Sequence, residues 1–155
     1  MNAETSLKHE KIKHLDLREF SAVESGTRVR DVVEQLRHER RNCALIMKDG
    51  ELVGIFTDRD VLRKIVTNPA AWEQPIDTFM TARPTTAKPD EAADEALNMM
   101  NTGHFRNVPV VDEAGQVLGN VTHYAFIKFL ADHFPQEIYN LPPDEGGSHE
   151  DRYGG

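Results

Sequence analysis

The sequence predicts a mixed α/β (α+β) fold made of two copies of one β-α-β-β-α unit. The prediction rests on an internal repeat, on the hydrophobic periodicity inside each copy, and on a pair of glycine turns. "RRNCALIMKDGELVGIFTDRDVLRKIV" (40–66) aligns with "FRNVPVVDEAGQVLGNVTHYAFIKFLA" (105–131). The Arg-Asn pair recurs as Arg41-Asn42 and Arg106-Asn107, each followed by an apolar run, a turn at Gly50 or Gly115, and a second apolar run. Glycine and threonine then recur as Gly54 and Thr57, Gly119 and Thr122, before an amphipathic helix.

Residues 1–14 read as an N-terminal extension without the apolar core of a signal peptide; His9 and His14 read as solvated groups in a mobile stretch. The first repeat spans about residues 15–67. After a short extended segment, "TRVRDVVEQLRHE" places Val29, Val32, Val33 and Leu36 at helical spacing. The turn "KDGE" between two apolar runs signals a β-hairpin, and the closing helix carries Val61, Leu62, Ile65 and Val66. Residues 68–79 read as a linker. The second repeat, 80–134, repeats the order: Ala93, Ala96, Leu97 and Met100 mark its first helix, "EAGQ" its hairpin, and Phe126, Ile127, Phe129, Leu130 and Phe134 its last helix. Residues 135–155 form an acidic, Pro/Gly-rich tail, read as partly disordered, in which "IYNLPP" offers an extended anchor. A half of roughly 55 residues makes a marginal core alone, so the halves are expected to pack on each other. The two closing helices are apolar over more than one stripe, which fits either a sheet plus a partner subunit, with Val61, Ile65, Phe126 and Leu130 at a homodimer contact, or a well-covered core.

The composition narrows the function. With 39% hydrophobic and 28% charged residues the chain is ordinary globular material, and no run reaches the roughly 18 apolar residues of a membrane helix. A net charge of −8 argues against a nucleic-acid binder. The single cysteine, Cys43, lies in the apolar run "CALIM", which fits a reducing compartment, the cytoplasm, and no disulfide framework. No activating histidine stands near Cys43 in sequence, and the seven histidines show no metal-ligand spacing. The expectation is therefore no catalytic residue, no metal and no enzyme.

"FMTARPTTAKPDEAADEALNMM…HFRNVPVVDEAGQVLGNVT" and "LVGIFTDRDVLRKIV" resemble tandem CBS (cystathionine β-synthase) domains, a Bateman module of the stand-alone bacterial type, over about residues 15–134. The resemblance implies a pseudo-twofold disk with two clefts between the repeats, and dimerisation through helices. It also implies an adenosine-type ligand: AMP, ADP or ATP, with NAD or S-adenosylmethionine as further members of the class. The output would reach a separate, unidentified protein. The alternative is a dimeric scaffold that senses nothing.

An adenine nucleotide presents a ribose diol, an apolar base and an anionic phosphate. A carboxylate suits the diol, and a helix N-terminus suits phosphate. Thr57, Asp58, Arg59 and Asp60 open one helix, and the resemblance places Thr57 and Asp60 at the ribose. Thr-x-x-Asp is also a capping box. The second copy has Thr122 but Ala125, so a helix start tolerates losing the acid and Asp60 is free for a ligand. The resemblance adds a threonine, Thr86, facing Asp60 across one cleft, with Ala22 and Ala125 in the other; two absences in one cleft favour a single working site. Arg41, Arg106 and Arg59 are phosphate candidates or solvated surface charges. Ile55, Val108 and Pro109 are candidates to line the base or belong to the core, and His123 reads as a bystander in the weaker cleft.

Overall fold

The computed structural model describes residues 2–134; the tail 135–155 and its "IYNLPP" stretch lie outside the described residues. The chain runs α1 (Ala3–His9), β1 (Ser21–Glu24), α2 (Val29–Glu39), β2 (Cys43–Lys48), β3 (Glu51–Thr57), α3 (Asp58–Asp60), β4 (Thr81–Ala82), α4 (Ala93–Gly103), β5 (Asn107–Val111), β6 (Val117–Thr122) and α5 (His123–His133). Both hairpins turn on glycine at positive φ, Gly50 at 81° and Gly115 at 84°, where a side chain would be strained. β1 pairs parallel with β2, and β2 antiparallel with β3. In the second repeat β5 and β6 pair antiparallel, and Ala87 bridges Val110 in the place that β1 takes in the first.

Each sheet is closed by a strand from the approach to the other repeat. β4, in the opening segment of the second repeat, pairs with β3 through Gly54–Ala82 and Ile55–Thr81. Arg18, in the opening segment of the first repeat, bridges Asn120 of β6, and the Asn120 N–H donates to the Leu17 carbonyl at 2.9 Å. The two repeat glycines sit under these crossings. A Cβ at Gly54 would overlap the Met80 sulfur, and one at Gly119 would meet the Leu17 side chain and lie 2.7 Å from the Leu17 carbonyl oxygen. Glycine recurs here because a second chain passes directly over the strand.

The same exchange builds the two cores. Leu7, Ile12 and Leu15 pack with Val108, Val110, Val121, Phe126 and Phe129 of the second repeat. Ala71 and Ile76 pack with Val29, Val32, Ile46, Phe56 and Ile65 of the first. Each fully buried aliphatic side chain contributes about 1.5–3 kcal/mol, so these crossings are integral to stability. The N-terminal stretch, read from sequence as mobile, therefore differs in the structure. Asn2 caps α1 by accepting from the Thr5 N–H at 2.8 Å, and Ile12 N–H bonds the Glu91 carbonyl at 2.9 Å. Likewise the linker forms 3-10 turns at Pro69–Glu73 and Ile76–Thr78.

The closing helices also differ from expectation. α5 is a regular α-helix, but α3 passes at once into a π-turn over Val61–Ile65, with Val66 N–H bonding the Val61 carbonyl at 3.0 Å. Ile65 and Phe126 are buried and Val61 and Leu130 pack partly against the cores, so these four do not form an exposed face. The exposed apolar side chains on these segments are Leu62, Val66, Tyr124 and Ile127. A broad apolar helix face gives no phase by itself; the core takes the half that meets the sheet. Among the described residues no helix is long and apolar enough to cross a membrane.

Candidate functional site

A cavity of about 530 Å³ opens between the repeats. One wall is the end of β3 and the start of α3, with Ile55, Thr57, Asp58, Arg59 and Leu62. The second is the crossing segment, with Thr81, Arg83, Pro84 and Thr85, and the third is the entry to β5, with Phe105, Arg106 and Asn107. Polar groups reach it because β3 ends there and its last residue turns into α3. Arg59 spans the opening and donates to the His104 carbonyl of the second repeat at 3.2 Å.

Of the residues singled out from sequence, Ile55, Thr57, Asp58, Arg59 and Arg106 line this cavity. Asp60, Thr86, Arg41, Val108 and Pro109 are not among its lining residues. Val108 and Pro109 are buried in β5. Arg41 pairs instead with Glu19 at 3.2 Å. Asp60 is engaged inside its own repeat: one carboxylate oxygen accepts the Thr57 N–H at 3.0 Å, and the other faces Lys64 Nζ at 3.2 Å. Lys64 in turn donates to the Phe79 carbonyl at 2.8 Å, tying α3 to the incoming linker. Thr57 and Asp60 thus form a capping box. The first amides of α3 are taken as well, Asp58 N–H by the Asn42 carbonyl at 3.1 Å and Arg59 N–H by Asp58 Oδ1 at 2.8 Å. They offer no free N–H cradle for a phosphate.

Arg83, Thr85 and Phe105 line the cavity without having been singled out. The first two lie in "MTARPTT", three and one residues before Thr86, and Phe105 directly precedes the repeated Arg-Asn pair. Their signal was proximity to a motif rather than the motif itself.

The register corrects one pairing. Ala22 stands opposite Leu45 and Ala87 opposite Val110, and Leu45 and Val110 are equivalent in the repeat. Ser21, not Ala22, therefore corresponds to Thr86. Ser21 is buried, and its Oγ donates to Glu39. The end of β6 and the start of α5 hold three buried polar atoms without a hydrogen-bond partner among the described residues: Asn120 Oδ1, Thr122 Oγ1 and His123 Nδ1. Burial, then the nearby Arg106 charge, lowers the His123 pKa from its ordinary value; its backbone bond to Arg106 and the Asp58 charge oppose this. Cys43 sits at the start of β2 opposite Thr57, its thiol pushed up to about 12 by burial and then by the Asp58 and Asp60 charges. Among the described residues no cluster of side chains is arranged to hold a metal ion.

Comparison with known proteins places these features in a family. The CBS domain matches twice, over residues 12–67 and 76–132. The CBS domain-containing protein CBSCBSPB1 of Arabidopsis thaliana is 33% identical over 100 residues, 61% of this chain and 18% of that protein. The chain thus spans about a fifth of the length of that relative. An uncharacterized protein of Methanocaldococcus jannaschii, MJ1426, is 26% identical over 136 residues, 64% of this chain and 81% of its own. Among solved structures, the CBS domain pair of protein MJ0100, in complex with 5′-methylthioadenosine and S-adenosyl-L-methionine, superposes with a TM-score of 0.69 at 27% identity, covering 78% of this chain and 99% of that one. CBSX2 in complex with AMP shares the fold with a TM-score of 0.67 at 21% identity, covering 79% and 96%.

Proposed function

Because the chain belongs to the CBS domain family and carries two copies in tandem, we propose that it is a regulatory module that binds an adenosine-type small molecule between its repeats. The observation that carries this reading is the cavity where the end of β3, the crossing segment and the entry to β5 meet. Its chemistry suits such a ligand part by part. Ile55, Pro84 and Phe105 offer apolar surface for a base, Thr57 and Asp58 offer a hydroxyl and a carboxylate for a diol, and Arg59 and Arg106 offer guanidinium forks for phosphate. The ligand of the 27%-identical CBS pair is itself adenosine-based, which favours the same class here. Within that class AMP, ADP, ATP, NAD and S-adenosylmethionine are the compounds to test.

Asp60 and Thr86 belong to this proposal through the family resemblance, with Asp60 as acceptor for the ribose hydroxyls. In that role the Asp60 carboxylate exchanges its Lys64 contact for the ligand, so binding would loosen the Lys64 link to the linker carbonyl of Phe79. That exchange is a route from ligand to shape. The output is a surface change read by another protein, with no chemistry on the ligand. Leu62, Val66, Tyr124 and Ile127 supply the exposed apolar face for a homodimer, and Leu62 also lines the cavity.

Titration calorimetry of the purified chain tests the reading. Saturable binding of at least one adenosine compound, weakened by Arg106→Ala, is the expected result. Heats indistinguishable from dilution for every compound at millimolar concentration would sink it and leave the dimeric scaffold.

A further inference from the structure

We infer that Asn120, which lies outside the cavity, is a positioning residue for it. Asn120 turns the side-chain amide of Asn107 so that its N–H pair, not its oxygen, faces the ligand, which must then offer an acceptor atom at that wall. The inference rests on the site proposed above and adds the sense of one of its hydrogen bonds, with the residue that sets it.

Asparagine is an unusual occupant of this place. Asn120 is fully buried in β6, where the aligned residue of the first repeat is the apolar Ile55, and asparagine is depleted in strands. A buried amide is costly unless its polar atoms find partners. The Asn120 Nδ2 finds two, donating to the Glu19 carbonyl at 3.0 Å and to Asn107 Oδ1 at 3.0 Å. Its backbone N–H bonds the Leu17 carbonyl at 2.9 Å, so main chain and side chain are both held.

These bonds fix two amide orientations in turn. A backbone carbonyl only accepts, so the Asn120 atom beside Glu19 must be the nitrogen. That nitrogen only donates, so the Asn107 atom it meets must be the oxygen. The contact is short because Asn107 stands opposite Thr122 and Asn120 opposite Pro109, which makes the two asparagines diagonal neighbours on one face of the hairpin. Asn107 is half-buried and lines the cavity. With its oxygen turned to Asn120, the end left for the cavity is its N–H pair. Without Asn120, a half-turn of the amide would exchange donor for acceptor at that wall. The relay begins at Glu19, in the opening segment of the first repeat, whose carboxylate pairs with Arg41 at 3.2 Å. The polarity of a wall built by the second repeat is thus set from the first.

Two measurements test this. In the free chain, side-chain amide NMR should show slow solvent exchange for the Asn120 N–H pair and fast exchange for the Asn107 pair. Asn120→Asp keeps the shape but replaces donors by acceptors, so the Asn107 amide should turn over and its exchange should slow. A protected Asn107 pair in the wild type, or an Asn107 signal indifferent to Asn120→Asp, would overturn the inference whether or not a ligand binds. The second measurement is calorimetry with AMP, ADP, ATP, NAD and S-adenosylmethionine. Asn107→Ala should weaken the compounds that bind roughly tenfold, and Asn120→Ala roughly fivefold. The double variant should lose no more than Asn107→Ala alone, because Asn120 acts only through Asn107. Additive losses, or wild-type affinity in Asn120→Ala, would overturn the inference and leave the adenosine reading standing. Heats of dilution for every compound would sink the adenosine reading, and the exchange pattern would still decide whether the amide is turned as inferred.

Discussion

The helix that opens at Thr57 and the helix that opens at Thr122 are the same sequence element solved in two ways. In the first, Asp60 and Lys64 sit one turn apart, paired at 3.2 Å, and Lys64 holds the Phe79 carbonyl. In the second, Ala125 and Phe129 take those places, both buried in a core completed by Leu7, Ile12 and Leu15. A polar staple faces the linker in one repeat, and an apolar contact faces the N-terminal segment in the other. The aspartate is thus not simply missing from the second copy. Its place has been given over to packing, while the first copy keeps an acid beside a cavity.

The largest effect should come from exchanging these solutions. Removing a charged hydrogen-bond partner costs roughly 1.5–3 kcal/mol, so Asp60→Ala should weaken adenosine-ligand binding about 10- to 150-fold in calorimetry. The fold should survive, since Ala125 serves at the equivalent place. Lys64→Met separates the roles: it removes the staple but keeps the acceptor, so affinity should hold or rise. Should Asp60→Ala bind normally while Asp58→Ala fails, the ribose contact belongs to Asp58, which lines the cavity. The reverse exchange, Ala125→Asp, puts a charge at a site only 4% exposed and should lower the melting temperature without adding a binding site.

The crossings sharpen the comparison next. Gly54 lies under a methionine sulfur, the far end of a flexible side chain, but Gly119 lies under the Leu17 backbone. Overpacking costs about 1–3 kcal/mol, toward the low end where the neighbour can move. Gly119→Ala should therefore destabilise more than Gly54→Ala, by thermal melts in the same buffer. Equal losses would mean that the two strands yield equally.

A smaller contrast separates covered from uncovered helix faces. Leu62 is 71% exposed and Ile127 54%, while their neighbours Ile65 and Phe126 are 0% and 4%. The double variant Leu62→Glu, Ile127→Glu should keep its melting temperature within a few degrees and shift light scattering toward monomer. Phe126→Glu should unfold the chain instead. If the double variant stays dimeric, the contact lies on another face.

These contrasts also mark where sequence reading reached and where it stopped. The repeat, the helices of Val29–Glu39 and Ala93–Gly103 and the two glycine turns were legible because each is encoded locally, by periodicity or by a required positive φ. The crossings were not, because nothing near Gly54 or Gly119 names Met80 or Leu17 as the chain above it. The single-residue slip that set Ala22 beside Thr86 has the same origin: in a short extended segment, register is fixed by the partner strand. Thr57, Asp58 and Arg106 were recognisable as cavity residues from a repeated motif, whereas Arg83 lies outside the two aligned segments and acquires meaning only from the cavity it lines.

The smallest expected effect concerns the position after the repeated threonine, Asp58 in one copy and His123 in the other. His123 has a buried Nδ1 without a partner among the described residues, and burial, then Arg106, lowers its pKa. The folded protein therefore holds this imidazole neutral at pH values where the unfolded chain, with a histidine pKa of about 6.5, has begun to bind a proton. Stability from this group is complete above about pH 6.5 and declines as pH falls through that value toward the lower folded one. His123→Gln keeps a polar side chain of similar reach and removes the titration. Between about pH 7 and about pH 5.5 the wild-type melting temperature should fall by on the order of 1–2 °C more than that of His123→Gln. Parallel curves would assign the slope to the other histidines and return His123 to the role of a spectator. A larger fall in the variant would mean that the imidazole is charged in the folded state and paired there, reversing the contrast between the two copies.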